Sequence, residues 1–365
     1  MPEPIKSVLH EAQVAKGATF RDDDGWLWTM SFGDASAGYE AIRTGTAIWD
    51  VYPLVKWDVA GRDAEAAIQR VFTADLSRQS VGQVKYGAFV HENGTMVDDG
   101  TVFKHADDHY WVLTNTSGFA DYWDTQTAGL DFSYANRTHD TPLISVQGPR
   151  SRDLLQSLTG TDLSTLGYFR FRPERVTVAG VPAWVSRTGF SGEIGFEIFP
   201  GRDDAVELWI ALEAAGAVPI GLDTIEPARV EAGLIIYGTD YVPGEHTPYD
   251  VSLDRMVAVD GSPDFAGKSV LAAIAAAPPR RLKSLLLAGA ELPGVGADVL
   301  ADGAVVGSLS SRVVSPTYGS IGLAMLATEV AVDGRALQVA TPSGAIPATV
   351  APLSVKDPDK TRPRG

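Results

Sequence analysis

Two adjacent carboxylates, Asp98 and Asp99, are the residues of this sequence best suited to chemistry. They lie in segment 91–103, which reads HENGTMVDDGTVF, and its Asn-Gly pair is typical of a hairpin turn followed by a strand. Successive strand side chains point to opposite faces, so the two carboxylates should not share one environment. We predict that if one reaches solvent, the other points into the interior or a cleft. A solvated acidic pair without a role is the open alternative.

A third carboxylate, Glu197, stands in a glycine-rich segment with strand character. With Asp99 it forms a candidate set that also contains Tyr86, Asn115 and Arg187, all on predicted strands or strand ends. Carboxylates and amides on rigid strands suit a heterocycle with paired N–H groups, because one carboxylate accepts two such hydrogen bonds. A pair of acids for glycoside hydrolysis would use the same residue types. Sequence spacing alone leaves both possibilities open.

Composition excludes several classes of partner. The chain has 365 residues, with 46 acidic against 30 basic side chains and a formal charge of -16, so it offers no basic field for nucleic acid or an anionic membrane surface. Its apolar runs are shorter than the roughly 20 residues of a membrane span, and its N-terminal residues lack an apolar signal core. We therefore expect a cytoplasmic protein. The absence of cysteine excludes disulfides and thiolate metal sites, and we predict no metal.

The elements that would position these residues change in character along the chain. Short strands are predicted at 84–90, 96–103 and 110–114, the last leading into Asn115. From residue 280 onward, short apolar strands alternate with glycine, which is typical of a separate small β-barrel or sandwich. We predict an α+β fold divided into a main region at 1–260, a connector at 261–279, a β-barrel at 280–355 and a disordered tail at 356–365.

Several sequence blocks, in order, carry a resemblance to a known family. The blocks are WDVYPL at 49–54, YGAFVHENGTMVDDGTV at 86–102, SVQGP at 145–149, RTGFSGEIGFEI at 187–198, ARVEAGLIIYG at 228–238, FAGK at 265–268 and SPT at 315–317. Together they resemble the glycine-cleavage T-protein family over almost the whole chain. That family comprises tetrahydrofolate-dependent aminomethyltransferases and methyltransferases, including demethylases, and folate-binding domains of dimethylglycine and sarcosine oxidation. The resemblance implies two mixed α/β folate-binding subdomains around a central tunnel, with a C-terminal β-barrel.

The resemblance also implies roles for individual residues. The second aspartate of the D-D pair, Asp99, matches the catalytic carboxylate of the family. Glu197 matches the residue that grips the pterin ring of tetrahydrofolate, and Asn115 matches the asparagine after the third strand. Tyr86 matches an aromatic side chain of the folate pocket, and Arg187 joins this predicted folate-binding set.

Departures from the family pattern concern the one-carbon donor. Glycine-cleavage enzymes usually read FDVSHM where this chain has WDVYPL, which places Tyr52 and Leu54 beside the implied donor pocket. They also carry ARD where this chain has Thr-Ile-Glu, so an expected arginine is Ile225. With Tyr237, these residues form the predicted donor-binding set. Apolar and aromatic walls favour a free small molecule over an aminomethyl group on a carrier protein.

The function predicted on this basis is transfer of a methyl group from a small O-, N- or S-methylated donor to N5 of tetrahydrofolate. A glycine-cleavage-type aminomethyltransferase that forms 5,10-methylene-tetrahydrofolate is one alternative. A folate-binding protein without transferase activity is another, although relatives of that kind carry a cysteine-containing KGCxxGQ motif and this chain has no cysteine. A partner oxidase or other demethylation enzyme is a further expectation.

Overall fold

The protein contains two facing β-sheets, a small two-stranded sheet formed by its first two strands and a closed β-barrel. Its computed structural model describes residues 3–23, 25–261, 263–289 and 292–365. The strands are Thr19–Asp23 (β1), Trp26–Ser31 (β2), Ala47–Asp50 (β3), Val55–Ala60 (β4), Val84–Val90 (β5), Met96–Ala106 (β6), His109–Thr114 (β7), Ser133–Asn136 (β8), Ile144–Gln147 (β9), Val176–Val178 (β10), Val181–Ser186 (β11), Gly195–Pro200 (β12), Val218–Pro219 (β13), Arg280–Leu287 (β14), Asp298–Ala301 (β15), Ala304–Ser315 (β16), Gly319–Ala327 (β17), Ala336–Thr341 (β18) and Gly344–Ala351 (β19). The α-helices are His10–Val14 (α1), Ala35–Thr44 (α2), Ala64–Gln69 (α3), Phe119–Gln126 (α4), Ser151–Ser157 (α5), Ala205–Ala214 (α6), Leu222–Glu231 (α7) and Lys268–Ile274 (α8). Short 3₁₀ helices lie at Arg202–Asp204, Asp254–Met256 and Arg362–Arg364.

The five-stranded sheet has the order β5-β6-β7-β4-β8 and is antiparallel. Its β5–β6 hairpin turns at Gly94, where φ is 78°, a conformation that glycine adopts without strain. The predicted hairpin is therefore confirmed. Helices α3 and α4 cover the outer face, and the Trp123 indole of α4 donates to the Ala67 carbonyl of α3 at 2.9 Å. This cover buries the outer face of the strands that carry the acidic pair.

The six-stranded sheet has the order β10-β11-β12-β9-β3-β13, and only the β13–β3 pairing is parallel. Helices α5 and α6 contribute Leu155, Leu208 and Trp209 to the apolar core on its outer face. Strand β3 precedes the whole five-stranded unit in the chain, and β9 follows it. The two sheets therefore belong to two subdomains that are interleaved along the chain.

Inner faces of the two sheets pack against each other through aromatic side chains. Phe199 of β12 lies 5.8 Å from Phe103 of β6 and 5.7 Å from Trp111 of β7, measured between ring centroids. Trp49 of β3 belongs to the same apolar cluster. Because strand side chains alternate between faces, residues two or four positions from these aromatic residues also point between the sheets. Asp99 and Glu197 reach the shared inner region in this way.

The C-terminal barrel closes in the order β14-β17-β16-β15-β18-β19, which confirms the predicted α+β fold with a C-terminal β-barrel. A buried ion pair joins it to the main region. Arg229 of α7 is fully buried and donates to Asp240 at 2.6 Å and to Ser311 of β16 at 2.7 Å. Ser311 also donates to Asp240 at 2.6 Å, so the barrel strand and the segment that follows α7 share one hydrogen-bond network.

The tail was predicted to be disordered, and this is wrong. Its last turn, Arg362–Arg364, is a 3₁₀ helix, and the Arg362 guanidinium donates to Glu193 at 3.0 Å. Lys356 forms a second ion pair with the same carboxylate at 3.2 Å. Charged residues of this tail are ordered because the buried Glu193 carboxylate requires cationic partners. The predicted limits of the main region, connector and barrel stay predictions. No helix in the described ranges has the length and apolar character needed to cross a membrane.

Candidate functional site

Asp99 is held on the inner face of the five-stranded sheet by three neutral donors. Its Oδ2 accepts a hydrogen bond from Tyr86 at 2.8 Å, and its Oδ1 accepts from Tyr241 at 2.5 Å and from the Asn115 amide at 3.2 Å. Burial raises the pKa of the Asp99 carboxyl, while the hydrogen bonds from Tyr241, Tyr86 and Asn115 oppose the rise. The structure thus brings three of the predicted site residues into direct contact.

Asp98 points to the opposite face, yet it is as deeply buried as its neighbour. The exposed fractions are 0% for Asp98 and 8% for Asp99, so neither carboxylate reaches bulk solvent and the alternative of a solvated acidic pair is wrong. Helices α3 and α4 cover the second face of the strand, which the alternation of side chains could not reveal. The Asp98 carboxylate accepts from the backbone N–H groups of Asp99, Asn115 and Thr116 at 2.7, 3.0 and 3.2 Å, and from the Asn115 amide at 2.7 Å. It therefore fixes the orientation of Asn115 toward Asp99.

Glu197 occupies the inner face of the other sheet, in a row of polar side chains. The register aligns Ser186, Glu197, Ser145 and Trp49 across four adjacent strands, β11, β12, β9 and β3. Thr188 donates its hydroxyl to Oε2 of Glu197. Burial raises the pKa of the Glu197 carboxyl, with Thr188 and Lys56 opposing the rise, yet part of the side chain stays accessible. A deep but accessible carboxylate is a group that faces an internal space.

Two polar atoms of this row lack partners. Ser145 Oγ and Trp49 Nε1 are buried and form no hydrogen bond within the described residues, although buried polar groups are normally paired. Both lie on the same face as Glu197, Ser145 one strand away and Trp49 two strands away. A carboxylate that accepts N–H groups, flanked by two unsatisfied polar atoms, fits a flat heterocycle with donors and acceptors along one edge. The residues present therefore fit the pterin ring of a folate.

Lys56 of β4 is a buried amine in the same region. Its Nζ donates to the Tyr52 carbonyl at 2.7 Å and lies 5.4 Å from the centre of the Tyr52 ring. Burial lowers the pKa of the Lys56 amine to about 7, because desolvation outweighs the attraction of Asp50 and Glu197. Neither carboxylate forms an ion pair with it within the described residues. When it is protonated, the Lys56 amine is thus held by the fold at considerable electrostatic cost.

Two of the four predicted donor-binding residues lie at the apolar cluster between the sheets that contains Trp49, Phe103 and Phe199. Ile225 is fully buried in it, and Leu54 packs against it half-buried. Tyr52 is fully buried, donates to the His139 carbonyl at 2.8 Å and accepts from Arg202 at 2.7 Å. The Tyr237 ring lies 5.9 Å from the ring of Tyr241. Their role in donor binding stays a prediction.

Arg187 is separated from the other members of the predicted folate-binding set. Its guanidinium donates to the Leu166 carbonyl at 3.2 Å and to the carbonyl of Arg364 in the tail. The structure therefore places Arg187 at the contact between the tail and the main region. Arg187 follows Ser186 in sequence, but its guanidinium points toward the tail. Its binding of folate stays a prediction.

Sequence reasoning missed Tyr241, Lys56, Trp49 and Ser145 as members of the site. Tyr241 lies 142 residues from Asp99 in a proline- and glycine-rich segment, and no local pattern links the two. Trp49 and Ser145 could have been found from the alternation of their strands once the pairing with β12 was known. Lys56 carried a signal of its own, since a lysine between valine and tryptophan in a strand is a candidate for burial.

The chain matches two family models in succession. The GCVT N-terminal domain matches residues 9–261, and the glycine cleavage T-protein C-terminal barrel domain matches residues 280–357. The chain belongs to the glycine-cleavage T-protein family. The resemblance inferred from the sequence blocks is thereby confirmed.

Other members of the T-protein family are similar over nearly their full length. An aminomethyltransferase of Saccharopolyspora erythraea is 35% identical over 364 residues, covering 97% of this chain and 98% of the relative. An aminomethyltransferase of Streptomyces coelicolor is 34% identical, covering 86% and 87%. The crystal structure of glycine cleavage system aminomethyltransferase T from Bartonella henselae superposes with a TM-score of 0.86, covering 96% of this chain and 98% of that one. At 21% identity, that likeness establishes the fold alone.

Proposed function

We propose that this protein is a tetrahydrofolate-dependent one-carbon transferase that transfers an aminomethyl group, as in glycine cleavage. One observation carries the proposal. The Asp99 carboxylate, surrounded by Tyr86, Tyr241 and Asn115, lies on the inner face of one sheet, and Glu197 lies on the inner face of the other. A ring bound by Glu197 would lie in the region that Asp99 faces, which suits a carboxylate acting on a reacting nitrogen.

The relatives favour aminomethyl transfer over the methyl transfer predicted from the sequence. Two relatives covering most of the chain are named aminomethyltransferases, and no comparison identifies a small methylated donor. Apolar residues at the predicted donor positions led to the methyl-transfer prediction. Ile225 and Tyr52 are, however, fully buried, and the Tyr52 hydroxyl is already bonded to the His139 carbonyl and Arg202. Their apolar character therefore reflects packing as much as the choice of donor.

Bound tetrahydrofolate would supply the nitrogen atoms N5 and N10 that take up the carbon. In the proposed reaction, the carbon–sulfur bond of an aminomethylated lipoyl carrier and the bond from that carbon to its amino group break. Two new carbon–nitrogen bonds form, and the two N–H protons leave with the carrier thiol and with ammonia. Asp99 can accept one of these protons, because burial raises its pKa toward the range of a useful general base. Tyr86, Tyr241 and Asn115 hold its oxygens in place for this transfer.

Replacing Glu197 with glutamine tests the binding half of the proposal. The amide would present one donor and one acceptor where the ring needs two acceptors. A hydrogen bond to a charged group contributes about 1.5 to 3 kcal/mol, so the affinity for tetrahydrofolate should fall by about 10- to 100-fold. Isothermal titration calorimetry measures the change. Glu207→Gln, on the exposed side of α6, is the matched control and should bind as the wild type does. Equal affinities in all three proteins would remove Glu197 from the site.

A further inference from the structure

Beside Glu197, two unpartnered polar atoms have no role in the reaction just described. Trp49 is 5% exposed and Ser145 is 1% exposed, and neither Trp49 Nε1 nor Ser145 Oγ has a hydrogen-bond partner within the described residues. A buried indole N–H can only donate, and a hydroxyl can donate or accept. An unsatisfied buried donor destabilises a fold unless a ligand or a water satisfies it. The register places Ser145 on the strand next to Glu197 and Trp49 on the strand after that.

The chemistry of a ring bound by Glu197 identifies what these atoms would meet. Along the pyrimidine edge of a tetrahydropterin, a ring oxo group precedes a ring N–H and an exocyclic amino group. A carboxylate matches the two adjacent donors of this edge. The oxo group beside them is an acceptor and requires a donor from the protein. Adjacent strands are about 4.8 Å apart, so Ser145 and Trp49 follow Glu197 at one- and two-strand spacings, within reach of neighbouring atoms of one ring.

We infer that Trp49 is a specificity-determining residue that donates to the ring oxo group, so that the site selects 4-oxo over 4-amino pterins, while the Ser145 hydroxyl can pair with either ring. The inference rests on the proposed folate binding and extends it to the chemical class of ring accepted. An amino group in place of the oxo group would turn a donor toward the Trp49 N–H. Two donors facing each other without an acceptor disfavour that ligand.

The chain offers a control for the loss of an indole N–H. Trp209 Nε1 is also buried and unpartnered, but Trp209 lies on α6 in the core against the outer face of the sheet. Trp209→Phe removes the same group at a distance from the inner face. Trp49→Phe keeps an aromatic ring in the apolar cluster, and Ser145→Ala removes only the hydroxyl. Thermal melting curves of the three variants report whether each is folded.

Calorimetric titration of these variants with tetrahydrofolate and its 4-amino analogue, tetrahydroaminopterin, tests the inference. We expect the wild type and Trp209→Phe to prefer tetrahydrofolate. Trp49→Phe should bind tetrahydrofolate about 10-fold more weakly and bind the 4-amino compound with little change, so that the preference is reduced. Ser145→Ala should bind both compounds more weakly, because the lost hydroxyl can donate or accept. A folded Trp49→Phe protein that keeps the wild-type preference would overturn the inference while leaving the proposed function intact. A wild type that binds neither compound would overturn both.

Discussion

Replacement of Asp99 by asparagine should lower the turnover number by about 100- to 10,000-fold while leaving the affinity for tetrahydrofolate nearly unchanged. The amide keeps the shape of the side chain and can still accept a hydrogen bond from Tyr86 or Tyr241. It cannot accept a proton from the reacting nitrogen. Steady-state kinetics together with calorimetric titration separates the two effects. Turnover within a few-fold of the wild type would show that Asp99 does not manage a proton.

Asp98→Asn is the comparison variant, and its expected effect is a loss of stability. Three backbone N–H groups and the Asn115 amide donate to the Asp98 carboxylate, and an amide would turn a donor toward some of them. We therefore expect a lower melting temperature for Asp98→Asn and an unchanged one for Asp99→Asn. An Asp98→Asn protein as stable as the wild type would contradict the structural role.

Lys56→Met should stabilise the protein against unfolding, and the gain should depend on pH. Burial lowers the pKa of Lys56 to about 7 in the folded protein, against 10.5 for an unperturbed lysine. Between about pH 7 and pH 10.5 the unfolded chain binds more protons at this lysine than the folded protein does. Lys56 therefore makes wild-type stability rise with pH in this range. Below pH 7 the full cost of burying the Lys56 charge is present, on the order of 5 kcal/mol at most. Denaturation with urea at pH 6 and pH 9 measures the difference between the two proteins.

A second lysine provides the control for this prediction. Lys104 is also buried, but it forms an ion pair with Glu65 at 3.2 Å, and its side chain lies over the Tyr110 ring. Lys104→Met should therefore destabilise the protein, because it removes a paired charge. A Lys56→Met protein that is less stable than the wild type, and by the same amount at pH 6 and at pH 9, would contradict the account of Lys56.

Local sequence patterns were sufficient for the parts of the fold that depend on neighbouring residues. The hairpin around Gly94 follows from the turn preference of Asn-Gly, and the barrel follows from short apolar strands punctuated by glycine. Alternation also placed Asp98 and Asp99 on opposite faces correctly. It could not show that both faces are covered, because the cover comes from α3 and α4, which the strand pattern does not describe.

Long-range contacts account for what could not be predicted. Tyr241 reaches Asp99 only because the segment after α7 passes the inner face of the five-stranded sheet. The tail is ordered by Glu193, a residue whose need for cations becomes visible only when its burial is known. Residue types and strand positions selected Glu197 and Asn115, which the family resemblance supported, but they also placed Arg187 in the folate-binding set, whereas its guanidinium contacts the tail. Local periodicity does not determine any of these contacts.

Identification of the product from competing donors tests the central claim most directly. The purified protein, with tetrahydrofolate, would receive either an aminomethylated lipoyl carrier protein or a panel of small O-, N- and S-methylated compounds. Mass spectrometry distinguishes 5,10-methylene-tetrahydrofolate from 5-methyl-tetrahydrofolate, and released ammonia is measured in parallel. We predict 5,10-methylene-tetrahydrofolate and equal amounts of ammonia from the carrier, both strongly reduced in Asp99→Asn. Faster formation of 5-methyl-tetrahydrofolate from a small donor, without ammonia, would contradict the account.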